Sequence, residues 1–221
     1  MYTQLFKEAL LKIEDGDTQS IKEFAYFCRL QKDIAVDHID KFECEYRDHT
    51  PIWWYTGPYF IYSMINRGLR LMDVDIILKI GFFIRHLHNH LETLSRENQR
   101  TEKNATCFQV FRVQSLLLSS FEKMKTTEGR LMSFNNFLST SMDRQISCMY
   151  AQSAATSHDL NTVGILFVIT TDPTLCTKSS IPFAVVKRVG YYEGGEREIL
   201  FSTHTIFHIA QINHIKDDHN D

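Results

Sequence analysis

Residues 107–113, Cys-Phe-Gln-Val-Phe-Arg-Val, mark the point where the chain changes character. Aromatic and β-branched side chains crowd into a short run, a composition that fits a pleated, half-buried surface better than a helix. The same texture returns in residues 133–141 (SFNNFLSTS), 163–171 (VGILFVITT), 182–189 (PFAVVKRV) and 198–212 (EILFSTHTIFHIAQI), with turn-like breaks between them. These segments predict strands. Between them, Gln114–Lys125 and Asp143–Ala155 read as short helices, so strands and helices mix without the regular alternation of a parallel doubly wound sheet.

Upstream, from Thr3 to about Gln99, the apolar residues recur at helical spacing. Leu5, Leu10 and Ile13 fit a first helix, and Thr18 fits the N-cap of a second that carries Ile21, Phe24 and Cys28. Pro58 stands where a helix's first turn tolerates it. Asp73 precedes a long segment in which Val74, Ile77, Leu78, Leu87, Leu91 and Leu94 keep the period, ended by the polar tract Ser95–Asn104. The expectation is an α+β protein: a helical region over residues 1–104 packed on a mixed core over residues 105–221, the two together forming one structural domain.

A length of 221 residues suffices for a sizeable core, and 43% hydrophobic with 23% charged residues excludes a disordered chain. The net charge of −3 offers no broad surface for nucleic acid or an anionic membrane, though it leaves room for a small electropositive pocket. The opening MYTQLFKEALLKIEDGD has no apolar signal region, and the longest uncharged run, Thr50–Asn66, is broken by Pro51, Gly57 and Pro58 and falls short of the roughly 20 apolar residues of a spanning helix. A cytoplasmic location is expected. Five cysteines (Cys28, Cys44, Cys107, Cys148, Cys176) without a CxxC read as reduced, buried thiols, a lone disulfide staying open.

Several chemical signals dissolve on inspection. His86 and His90 are four apart on the long helix, but no Glu follows His86 and no third ligand is evident, so His86, His88 and His90 read as a solvated helix face. His204 and His208 fall on one face of a late segment read as a strand and fit ordinary half-buried residues equally well. No metal is assigned. No GxSxG, GxxxxGK[ST] or GxGxxG is present, which removes the main support for a serine hydrolase, a P-loop enzyme or a Rossmann dehydrogenase. The aromatic cluster Trp53, Trp54, Tyr55, Tyr59, Phe60 and Tyr62 reads as a core or helix-packing face, with a binding surface as the lesser reading. Acidic residues two apart occur at Asp15/Asp17, Glu43/Glu45, Asp73/Asp75 and Glu196/Glu198. Only the last pair has a telling context, with Gly194 and Gly195 before it and Ile199, Leu200 and Phe201 after it. A flexible loop there feeds a carboxylate into a strand: Glu196 on the loop, Glu198 anchored, with strand alternation pointing the two to the same side.

Three segments in chain order, VFRVQ around Arg112, FLSTS from Phe137 to Ser141, and GGEREILFSTHTIF around Glu196 and Glu198, together resemble the Arg, Ser-Thr-Ser and Glu-x-Glu signature of arginine-specific mono-ADP-ribosyltransferases. The resemblance extends from Trp53 to about Ile209, since WWYTGPYFIYSMINRGLR and the long helix after it are similar to the family's helical flank. It implies an ADP-ribosyltransferase-like split β-sandwich core behind a helical N-terminal region, NAD as co-substrate, no metal, and a protein arginine as acceptor, with an NAD glycohydrolase or a catalytically silent NAD-binding or interaction module as the alternatives.

The residue types suit that chemistry. Cleaving the bond between nicotinamide and ribose releases a neutral leaving group from a cationic one, through an oxocarbenium-like sugar that a fixed carboxylate can stabilise. By resemblance Glu198 takes that role and accepts from the ribose 2′-hydroxyl. Glu196 faces the incoming guanidinium, Arg112 contacts the NAD phosphates and ribose, and Ser139 positions Glu198. Thr140 and Ser141 shape the strand beneath nicotinamide, and Phe183 packs against the dinucleotide. Many family members carry Gly after the signature Arg; here Val113 stands in that place, with the same backbone carbonyl but a β-branched side chain that restricts the dihedrals and crowds the pocket.

Overall fold

Side-chain caps start two of the helices. In the computed structural model, which describes residues 17–101, 106–145, 161–172, 182–192 and 198–213, the Thr50 hydroxyl accepts from the Trp53 amide at 3.1 Å and an Asp73 carboxylate oxygen accepts from the Ile76 amide at 3.2 Å. The described helices are α1 (Asp17–Arg29), α2 (Val36–Glu45), α3 (Pro51–Thr56), α4 (Phe60–Leu71) and α5 (Val74–Thr101), with a 3₁₀ turn over Tyr46–Asp48. The helix expected around Leu5, Leu10 and Ile13 lies outside the described residues.

Three local readings change. Thr18 sits inside the first turn of α1, which already begins at Asp17. Pro51, not Pro58, takes a first-turn position; Pro58 precedes the Tyr59 N-cap of α4. The tract from Ser95 does not end the long helix, because α5 continues to Thr101. Polar residues support an exposed helix face as well as they support a loop, and Arg96 reaches back one turn to Glu92 at 2.7 Å.

The helices close on a large apolar core in which Phe24, Phe42, Trp54, Phe82 and Phe83 are all but inaccessible. The rings meet edge to face, Phe24 with Phe42 at 5.5 Å and Phe42 with Trp54 at 5.1 Å. Trp54 and Tyr55 are buried in it, while Trp53, Tyr59, Phe60 and Tyr62 pack against it. The histidines of α5 are not a solvated face. His86 shares a hydrogen bond with the Tyr46 hydroxyl at 2.8 Å, and His88 is buried against the Ser202 hydroxyl at 2.7 Å. Burial also pushes the pKa of His90 down. Among the cysteines, Cys28 is buried, its thiol pushed up to about 12, whereas Cys44 and Cys107 are exposed, contrary to expectation.

After α5 come β1 (Phe108–Leu117), α6 (Leu118–Lys125), β2 (Leu131–Ser133), β3 (Leu138–Ser141), β4 (Thr162–Thr171), β5 (Phe183–Val185), β6 (Glu198–Phe201) and β7 (Ile206–His208). Five strands form one antiparallel sheet in the order β4-β1-β3-β6-β5, and β2 pairs with β7 in a second. Gln114–Leu117, expected as helix, extends β1, because residue-by-residue pairing with β4 runs from Phe108–Thr171 to Leu117–Thr162 and outweighs the helix preference of the leucines. Most of Asp143–Ala155 lies outside the described residues. The late segment is two strands rather than one. Its turn places buried His204 at φ 61°, in the left-handed region, so His204 and His208 do not share a strand.

Strand β6 is buried on both faces. Leu200 belongs to the helical core together with Phe137, Ala184 and Val186, whereas Ile199 and Phe201 join Val110 and Leu138 in a smaller core. No helix among the described residues is long and apolar enough to cross a membrane.

Candidate active site

Register brings the signature residues together. In the β3–β6 pairing Ser141 stands opposite Glu198 and Ser139 opposite Leu200, so alternation puts Ser139, Ser141 and Glu198 on one face, with Ser139 diagonal to Glu198. The Ser139 hydroxyl donates to a Glu198 carboxylate oxygen at 2.6 Å, a short charge-assisted hydrogen bond that fixes the carboxylate's orientation. The ladder between β1 and β3 contains one register pair, Phe111 with Ser141. One residue along β1, Arg112 donates from Nη1 to the Ser139 carbonyl at 2.7 Å. A hydroxyl, a carboxylate and a guanidinium from three strands thus meet around Ser139. The Arg112 Nε is buried and has no partner among the described residues, which leaves a donor available to an acceptor brought in from outside.

Behind this group lies a network that sequence reasoning missed. The fully buried Tyr55 hydroxyl contacts Asn66 Oδ1 at 3.1 Å and the Phe137 carbonyl at 3.3 Å. Asn136 Nδ2 donates to the same two acceptors at 3.0 and 2.9 Å. The Phe137 carbonyl, two residues before Ser139, is therefore held from the helical side. Burial raises the pKa of Tyr55 well above the ordinary tyrosine value, and Arg112 and Glu198 are near enough to act on it electrostatically. Its only sequence signal was membership of an aromatic cluster, which reads as packing.

No protein-family model and no curated protein matches the chain. Solved structures do. The Vis toxin, an ADP-ribosyltransferase from Vibrio splendidus, superposes over 94% of this chain and 85% of its own with a TM-score of 0.54 at 16% identity. Vis in complex with the M6 inhibitor gives 0.51 over 91% and 81%, and Vis in complex with agmatine 0.50 over 92% and 82%, both at 16% identity. The fold is that of the ADP-ribosyltransferases. The likeness is one of fold, and it agrees with the α+β split-sheet architecture expected behind N-terminal helices.

Within this ADP-ribosyltransferase fold the remaining candidates are placed as follows. Thr140 is buried on the other face of β3 and donates its hydroxyl to the Ile199 carbonyl at 2.8 Å. The Ser141 hydroxyl accepts from the Asp143 amide at 2.9 Å. Val113 is half-buried opposite Leu166 of β4. Phe183, paired with Phe201, takes the Ile199–Phe201 face and stacks on Phe201 at 5.4 Å, in the small core and away from the Glu198 face. Glu196 lies outside the described residues. Among those residues no three His, Cys, Asp or Glu side chains are grouped to hold a metal ion.

Proposed function

We propose that the chain is an NAD-dependent mono-ADP-ribosyltransferase that moves ADP-ribose from NAD to arginine side chains of proteins and releases nicotinamide. The observation that carries this reading is the Ser139–Glu198 hydrogen bond of 2.6 Å beside the Arg112 guanidinium. In the reaction the glycosidic bond to nicotinamide breaks, and the bonding pair leaves with the neutral ring. Glu198, held by Ser139, stabilises the positive charge that grows on the ribose and accepts from its 2′-hydroxyl. Arg112, with a permanent charge and a planar fork, suits the phosphates. A guanidinium nitrogen then bonds to the anomeric carbon, and Glu196 orients the acceptor and takes up the proton it loses. The Vis complex with agmatine, itself a guanidinium compound, supports an arginine acceptor.

The test is nicotinamide release from NAD and transfer of labelled ADP-ribose to agmatine, comparing the parent with Glu198→Gln. The expected result is a fall of about two to three orders of magnitude in release, of the size seen when a preorganised electrostatic group is removed. Equal rates would refute the assignment. Glu196→Gln is expected to collapse transfer while hydrolysis of NAD persists; loss of both together would remove the acceptor role from Glu196.

A further inference from the structure

Ser139 serves two partners, its hydroxyl holding Glu198 at 2.6 Å and its carbonyl taking Arg112 Nη1 at 2.7 Å. Both contacts depend on where β3 sits along its own axis, because a slip of one residue would turn Ser139 to the opposite face. The ladder with β6 starts at Leu138, opposite Phe201. The residue just before it, Phe137, is where the helical region takes hold of the strand.

Three side chains from three separate segments close on that point. Tyr55 of α3 brings its hydroxyl to 3.3 Å from the Phe137 carbonyl and 3.1 Å from Asn66 Oδ1 of α4. Asn136 donates from Nδ2 to the same two oxygens, at 2.9 and 3.0 Å. The Asn136 amide has two protons and the phenol one, and two carbonyl oxygens present four lone pairs, so every proton finds an acceptor. Burial keeps the phenol protonated, which makes it a donor at neutral pH. The Tyr55 ring adds an edge contact with the buried Phe137 ring at 5.7 Å.

The support is itself held on both sides. Trp54 Nε1, one residue before Tyr55, donates to the Tyr46 carbonyl at 3.2 Å. One residue after, the Thr56 hydroxyl accepts from the Tyr191 amide at 2.9 Å and donates to the Ile52 carbonyl at 2.9 Å. Tyr55 is 1% exposed, so it touches no substrate, and what it contributes passes through Phe137. We infer that Tyr55 is a positioning residue for NAD cleavage: together with Asn136 it fixes β3 through the Phe137 carbonyl, two residues before Ser139, and so keeps the Ser139 hydroxyl in reach of Glu198. This rests on the function proposed above and adds to it a control point outside the three signature segments.

The experiment measures kcat and KM for nicotinamide release from NAD, per folded molecule of the full chain, in a double-mutant cycle of Tyr55→Phe and Ser139→Ala. Asn136→Ala, at a half-buried site, is a second arm. Tyr55→Phe keeps the ring and removes the hydroxyl. It is expected to lower kcat about five- to tenfold, the scale of one neutral hydrogen bond, with KM within about twofold, the split that marks a group acting on the transition state. In the Ser139→Ala background, where the hydroxyl it positions is gone, Tyr55→Phe should change kcat less than about twofold, whereas a merely structural role would multiply with Ser139→Ala. Asn136→Ala should follow the same pattern, and it decides by the same criterion if Tyr55→Phe does not fold. If Tyr55→Phe keeps the parent kcat, or its effect multiplies with that of Ser139→Ala, the inference fails and the proposed function stands. If the parent releases no nicotinamide, the proposed function fails and takes the inference with it.

Discussion

The helical core and the sheet core differ in size and in what they do. The first contains most of the fully buried aromatic side chains and draws on every described helix from α1 to α5. The second rests on Val110, Leu138, Ile199 and Phe201, yet the strands that supply them also carry Arg112, Ser139 and Glu198. The two meet on one short strand: Ile199 points into the smaller core, while Leu200 points into the helical core on the face that also carries the candidate residues Ser139 and Glu198. The lesson is that the geometry of Glu198 is secured by β6 being gripped from both faces rather than by a large core of its own.

That division can be broken from either side. Phe42→Ala should cost about 3–5 kcal/mol of unfolding free energy by chemical denaturation, as a large aromatic deletion in a packed core does, while nicotinamide release per folded molecule stays within about twofold. A collapse of activity in the folded fraction would show that the two regions are not separable. Ser139→Ala should weigh on activity instead: losing a hydrogen bond to a charged group, worth about 1.5–3 kcal/mol, corresponds to roughly 10–100-fold in release if it is lost from the transition state, with a smaller loss of unfolding free energy than Phe42→Ala. Full activity in that variant would mean that Glu198 needs no partner.

The smallest effect is a pH slope. Burial lowers the pKa of His90 below its ordinary value of 6.5, with the nearby Glu97 acting weakly the other way. The folded state thus favours the neutral ring, and as pH falls through 6.5 the unfolded chain takes up a proton first. Stability should decline from that point until the folded pKa is passed, and His90→Gln should flatten the decline in denaturation curves measured between about pH 7 and 5.

How much of this was legible in the sequence follows from the range of the interactions involved. The alternation of β3 and β6 and the β-branched character of β1 are local properties, so the strands bearing Arg112, Ser139 and Glu198 could be read off directly. Gln114–Leu117 could not, because Leu116 and Leu117 favour a helix and only pairing with β4 decides otherwise. His88 was misjudged by grouping it with His86 and His90. A helix advances about 100° per residue, which turns His88 away from the other two and toward Ser202, 114 positions distant. Thr56 and Tyr191 are further apart still, and a threonine at a helix end carries no local sign that its hydroxyl serves another segment. The small core hides Phe183 in the same way: its ring partners, Phe108 and Phe201, come from β1 and β6, strands distant from each other in sequence.

The single rung between β1 and β3 has a mechanical consequence. The five-stranded sheet falls into β4–β1 and β3–β6–β5, joined by the Phe111–Ser141 pair and stitched by the Arg112 side chain through its bond to the Ser139 carbonyl. An anion bound through Nε, which has no partner among the described residues, leaves the stitch in place, and only one that draws Nη1 off the Ser139 carbonyl competes with it. In that second case the free energy gained by the newcomer is reduced by whatever the seam gives up, so anion binding there and cohesion of the sheet would draw on the same side chain.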